Sequence, residues 1–214
     1  NRKEEFMATM RAAGRPTSLA ELDAWFKPVA DSENAALLFE EDLASLPRYN
    51  FRTKRSAYVR ENADRIPRIL EFSRSKKCRF PTDYRKGGDA LLPHLNQIRA
   101  AVELLSGEAE RQAKLRRPER SVELLIGALR IPNSIRDEPT TVAATTMTSR
   151  RTTAWKSLRE VLNRLALTDP LLTQLQTALS ESEASTSPVR ALVGQKLMIA
   201  NFFLLTAAQE EALY

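Results

Sequence analysis

Between Leu91 and Pro139 apolar positions return every three or four residues: Leu91, Leu95, Ile98, Val102, Leu105 and Ala109 mark one face of a helix. Arg116-Arg117 interrupts the stripe. Pro118 then stands where its fixed φ and missing N–H suit a first helical residue, and Val122, Leu125, Ile126 and Leu129 resume the pattern. So short a break predicts two antiparallel neighbours.

The same period runs through the rest of the chain. Residues 2 to 14 predict a helix with Phe6, Met7 and Met10 on one face and Gly14 as its C-cap. Ser18 and Glu21 have capping-box spacing, with Leu19, Leu22 and Phe26 as the buried side and Trp25 partly buried, until Pro28. Asp31 or Ser32 caps a third helix, whose stripe is Ala36, Phe39, Leu43 and Leu46 before Pro47. Residues 56 to 75 predict a helix that Pro67 kinks or restarts, and Cys78 to Asp89, with Pro81 and Gly87-Gly88, reads as a loop or short extended run. Asp137 and Pro139 open a helix whose first half is threonine-rich and whose second half carries Trp155, Leu158, Val161, Leu162 and Leu165. Thr168-Asp169-Pro170 caps another helix to about Ser182, and Ser187-Pro188 opens the last.

These elements predict an all-α protein of nine or ten helices, packed as an irregular bundle or a short tetratricopeptide-like array of antiparallel hairpins. Composition agrees, since only 6 of 214 residues are glycine, and Ala, Leu, Arg and Glu lose little on entering a helix. A hydrophobic content of 43% suffices for one domain over 1–214, comprising an N-terminal stalk helix (1–14), helices with a basic segment (15–90), and a central hairpin with C-terminal helices (91–214). The most apolar window, Leu197 to Ala208, is shorter than the roughly 20 residues of a membrane span and predicts a buried helix.

Charge changes the picture more. Residues 1–47 hold 5 basic and 9 acidic side chains, residues 48–86 hold 13 and 4, and the remainder 15 and 14, so the net +6 resides in one segment. Tyr49, Phe51, Tyr58, Phe72, Phe80 and Tyr84 interleave with those cations. That composition fits a surface that tracks phosphates and stacks bases, and equally a helix that buries its aromatics and hydrates its arginines. The candidate interaction surface is Arg52, Lys54, Arg55, Lys76, Lys77, Arg79, Tyr84, Arg85 and Lys86. Nucleic acid, an acidic protein and an anionic membrane are its candidate partners.

Candidate reaction centres are few. His94 is the single histidine and Cys78 the single cysteine, so neither a zinc-type ligand set nor a disulfide can be assembled within the chain. His94 reads as a support for its helix's first turn, with a ligand or proton-transfer role as the alternative. Cys78 lies among Lys76, Lys77 and Arg79, a setting that lowers a thiol pKa. Glu40-Glu41-Asp42 reads as a solvated face, and Asp137-Glu138 as carboxylates at a helix N-terminus. No phosphate-loop, dinucleotide or nucleophile-elbow motif is present, and no catalytic residue, metal or cofactor is expected.

The strings TSLAELDAWF, ENAALLF, CRFPTDY, LLPHL, RDEP and VRALVGQK, in that order and followed by an aromatic pair, resemble a group of uncharacterised bacterial proteins. Those proteins carry an N-terminal membrane anchor ahead of an exported helical domain. The resemblance implies a bacterial-envelope location, an anchor preceding Asn1 with residues 2 to 14 as its stalk, and continuation past Tyr214. It departs at the threonine-rich 140–153 region and carries no activity onto Trp25, Arg79, Tyr84, His94, Arg136 or Asp137. The function expected is a non-catalytic scaffold offering a helical groove to a protein or peptide. Anion binding through residues 48–86 is the alternative, and an enzyme of unrecognised type the second.

Overall fold

The computed structural model describes residues 2–50, 54–183 and 189–199, which are helical and contain no strand. Arg52, Phe51 and Ser187-Pro188 lie outside the described residues, as does the end of the Leu197 to Ala208 window. The chain starts with α1 (Arg2–Ala12), which ends at Gly14 in the left-handed region (φ 62), where Arg15 N–H donates to Met10 O at 2.9 Å. In α2 (Leu19–Trp25), Glu21 N–H donates to Ser18 Oγ at 3.2 Å as expected. The return half of the box is displaced by one residue: the Glu21 carboxylate accepts from Thr17 N–H at 2.7 Å and from the Thr17 hydroxyl at 2.9 Å, which lowers its pKa.

The single helix expected after Asp31 is two, α3 (Ala35–Leu38) and α4 (Glu40–Ala44), broken at Phe39. Its apolar stripe is nevertheless buried in full: Ala36, Phe39, Leu43 and Leu46. The helix expected over 56–75 is also two, α5 (Arg55–Glu61) and α6 (Ile66–Arg74). The break falls at buried Asn62, whose amide donates to Tyr58 O at 2.8 Å and accepts from Arg65 at 3.0 Å, and Pro67 sits in the first turn of α6. Residues 75–93 contain no α-helix, only a 3-10 turn over Tyr84–Asp89.

The hairpin is α7 (His94–Lys114) and α8 (Pro118–Arg130), followed by a 3-10 turn over Ile131–Ile135. Ser121 Oγ donates to Ala109 O at 2.9 Å, and a Cβ on Gly127 would lie 2.8 Å from Leu105 Cδ1, so the two run antiparallel. Then come α9 (Thr141–Leu162), α10 (Asp169–Glu183) and a helical stretch at 189–199. The threonine-rich half of α9 is helical, and Thr145, Thr148, Thr152 and Thr153 return their hydroxyls to carbonyls one turn back.

Helix α7 is the centre of the bundle, packed against α4, α5, α6, α8 and α9. Its Val102, Leu104 and Leu105 are wholly buried. A chain of repeats touching only sequence neighbours would not place one helix against five, so the bundle alternative describes this arrangement. An ion-pair network clamps α5, α7 and α9. Arg55 meets Glu103 at 3.1 Å and Glu110 at 2.7 Å, Arg150 meets Glu103 at 3.0 Å, and Ser157 donates to Glu110 at 2.6 Å. The two α7–α9 contacts share a sequence offset of 47, so these helices are parallel and in register. A second apolar cluster joins Met10 of α1, Leu22 and Phe26 at α2, Tyr84, and Val193, Leu197 and Met198, bringing the two ends of the described chain together.

Among the described residues no helix is long and apolar enough to cross a membrane.

Candidate functional site

Five of the strings that carry the resemblance converge. From CRFPTDY, Phe80 stacks on His94 of LLPHL, centroids 4.2 Å apart and planes within 9°. His94 Nε2 lies 2.7 Å from Glu138 Oε1 of RDEP, a close contact that is not a well-directed hydrogen bond. Both residues are buried, at 4% and 3% exposure. Tyr84 is fully buried; its burial, with the Glu138 carboxylate adding to it, pushes the phenol pKa far up. Its ring meets Phe26 of TSLAELDAWF edge-on at 5.9 Å. Arg79 stacks its guanidinium over Phe26 at 4.8 Å and donates to the Phe26 and Asp23 carbonyls. From VRALVGQK, Arg190 lies over Trp25 at 4.9 Å and 3.3 Å from Asp137, while Gly194 presses on the Pro139 backbone.

Several expectations are corrected here. Thr140, not Asp137 or Glu138, caps α9, its side chain accepting from Ala143 N–H at 3.0 Å. Glu138 therefore points into the protein instead of toward a helix dipole. The thiol of Cys78 is pushed up to about 12, chiefly by burial and then by the Glu138 carboxylate, so its cationic sequence neighbours do not activate it. Tyr84 is no part of a surface. Tyr58, Phe72 and Phe80 are buried too, and Tyr49 is partly buried against the core, so the described aromatics of the basic segment offer no base-stacking platform.

The proposed surface cations disperse. Arg55 belongs to the α5–α7–α9 network and Arg79 to the Phe26 contact, Arg85 pairs with Asp83 at 2.8 Å, and Lys54 and Lys86 are exposed elsewhere. Among the described members of that set, Lys76 and Lys77 alone line a cleft of about 840 Å³. Its walls are the end of α6 with residues 75–78, residues 26–29 after α2, residues 130–137, Glu181 and Arg190. Among the described residues, seven cations and two carboxylates line it, with Phe26, Val29, Phe72 and Ile131 as apolar floor. Four of those cations have carboxylate partners: Lys77 with Glu33 (2.7 Å), Arg74 with Glu123 (2.8 Å), Arg130 with Glu181 (2.9 Å) and Arg190 with Asp137 (3.3 Å). Lys27 and Lys76 are exposed, and Arg136 has only a loose contact of 3.6 Å with Asp137. Sequence order hid Arg130, Arg136 and Arg190, because they lie outside residues 48–86 and reach the cleft only through the fold.

Among the described residues no group of three or more His, Cys, Asp or Glu side chains is placed to hold a metal ion. His94 lines neither this cleft nor a smaller one of about 420 Å³ around Arg79 and Arg85. The buried cluster thus supports the cationic cleft from behind: Phe26 reaches its floor, while His94, Glu138 and Tyr84 do not line it. Comparison of the chain with protein families, curated proteins and solved structures finds no match.

Proposed function

We propose that this is a non-catalytic interaction domain whose 840 Å³ cleft holds an acidic segment of a protein partner. What supports the reading is one observation: seven cations against two carboxylates around an apolar floor. Apolar anchors with a surplus of one charge suit a segment that alternates aliphatic and acidic side chains, the apolar residues giving affinity and the charges register and capture rate. Lys27, Lys76 and Arg136 are the cations first offered to it, being the least engaged by the protein's own carboxylates. The envelope location implied by the resemblance belongs to the same proposal. An upstream coding sequence without a run of about 18 apolar residues would remove the anchor from it.

The test is a fluorescence titration with a labelled peptide of alternating Glu and Leu, beside its Lys/Leu and Gln/Leu counterparts. The Glu/Leu peptide binds, more weakly as salt rises, and Lys76→Glu with Arg136→Glu loosens it about tenfold or more. Equal binding of the Gln/Leu peptide, or an unchanged affinity in the charge-reversed protein, refutes the proposal.

A further inference from the structure

At the opposite end of α7 from the cleft, about 30 Å away along a 21-residue helix, the bundle ends in a different kind of surface. The turn from α7 to α8 is Lys114-Leu115-Arg116-Arg117, three cations and no carboxylate. Arg116 takes the left-handed region at φ 57, unusual for a residue with a Cβ. Its guanidinium donates to the Arg164 carbonyl, which fixes this turn beside the end of α9.

Helix α9 and the residues after it bury only part of the apolar set in this region. Ala154, Ser157, Val161 and Leu165 are buried and Leu158 packs on the core, leaving Trp155 48% and Leu162 44% exposed, with Leu115 at 49%. The parallel register of α7 and α9 sets Leu115 level with Leu162, and Trp155 lies two turns back on the same face as Leu162. Lys156 and Arg159 on α9 and Arg164 just past its end flank these residues, with Glu160 the one carboxylate between 155 and 164. None of these residues lines either cleft.

We propose that this end of the bundle, Leu115 and Leu162 at the apex with Trp155 two turns back on the side of α9, all flanked by Lys and Arg, docks on the surface of an anionic phospholipid bilayer. An end-on turn presents side chains outward and offers a peptide no groove. It does match the headgroup layer, where leucine and tryptophan enter the acyl boundary and long cationic side chains stay at the phosphates. Charge complementarity selects acidic lipid, because six exposed cations surround three apolar side chains, against two nearby carboxylates, Glu119 and Glu160. The cationic cleft is a separate site and remains accessible at the far end.

The experiment is sedimentation of the full chain with vesicles of phosphatidylcholine and phosphatidylglycerol, and with vesicles of phosphatidylcholine alone. Trp155 is followed by its emission in a Trp25→Phe protein. Binding to the mixed vesicles that weakens with salt, with a blue shift of Trp155, is the expected result. The wild-type shift vanishes in Trp155→Phe. Leu115→Ser with Leu162→Ser lowers vesicle affinity about tenfold or more while leaving circular dichroism and binding of the acidic peptide unchanged. Equal binding to both vesicle types, binding to neither, or full binding by the double-serine protein overturns the proposal. Capture by a polyanion such as DNA with the same loss in the serine variants overturns it as well.

Discussion

Gly194 offers the sharpest test of how the helical stretch at 189–199 is joined to the segment before α9. An added Cβ would stand 1.8 Å from the Pro139 carbonyl oxygen, 2.8 Å from its carbonyl carbon and 2.9 Å from its Cβ. Two of these are backbone atoms, so no side-chain rotation relieves the overlap. Even the 3.0 Å that Cβ atoms rarely go below requires a displacement of about 1.2 Å between the helical stretch at 189–199 and the segment before α9. That movement lengthens the 2.7 Å bond from Thr141 to Gln195 and the 3.3 Å contact of Arg190 with Asp137 beyond useful range. It also loosens Val193, Leu197 and Met198 against Phe26 and Tyr84. Overpacking costs about 1–3 kcal/mol and a lost hydrogen bond about 1 kcal/mol, so Gly194→Ala destabilises by about 2–4 kcal/mol. For a chain of this length that is a fall in Tm of about 5–15 °C. Thermal unfolding followed by circular dichroism measures it. Gly88→Ala is the control, because nothing lies within 4 Å of where its methyl group would stand and the residue is exposed. A Gly194→Ala protein that melts with the Gly88→Ala control would refute the tight apposition of these segments.

Two further outcomes follow from buried and half-buried polar groups. His94 and Glu138 are buried 2.7 Å apart, so removing either leaves the other's polar atoms without their neighbour, and His94→Ala and Glu138→Ala each cost about 1–3 kcal/mol. The double change His94→Ala with Glu138→Ala costs less than the sum of the two single changes; additive urea-unfolding energies would show that the two residues do not interact. Glu108 is pushed up by burial, but hydrogen bonds from Arg111 at 2.6 Å and Gln112 at 2.6 Å outweigh this and hold its pKa below 4.5. A carboxyl with a depressed folded pKa takes up fewer protons folded than unfolded, so its contribution is complete above 4.5 and fades as pH falls through the folded value. Glu108→Gln therefore flattens the loss of stability between about pH 5 and 3; an unchanged slope counts against this assignment.

The all-helical fold and its central hairpin were legible in the sequence because they depend on short-range periodicity. Ile98, Val102, Leu105, Val122, Leu125 and Leu129 are placed by the 3.6-residue turn alone, and all are buried. Pro118 and Gly14 mark helix ends through their own backbone limits, which need no partner. Tertiary packing decided the rest. Whether Phe39 and Asn62 sit inside a helix or at a break depends on what their side chains meet across the core. Of the apolar residues in the second half of this helix, Val161 and Leu165 are buried while Trp155 and Leu162 are exposed, because small Ala154 and Ser157 let α9 approach the Arg55, Glu103 and Glu110 network more closely than the large side chains would. The resemblance strings mark the neighbourhood of the candidate site in the sequence, yet nothing in their order brings Phe80, His94 and Glu138 together. The cleft is the clearest case: Lys76, Arg136 and Arg190 stand far apart along the chain, and a charge total treats them alike with Arg55, which the core consumes. Charge is additive along a sequence, but a binding surface depends on which charges the fold leaves without a close partner, and only three-dimensional contacts decide that.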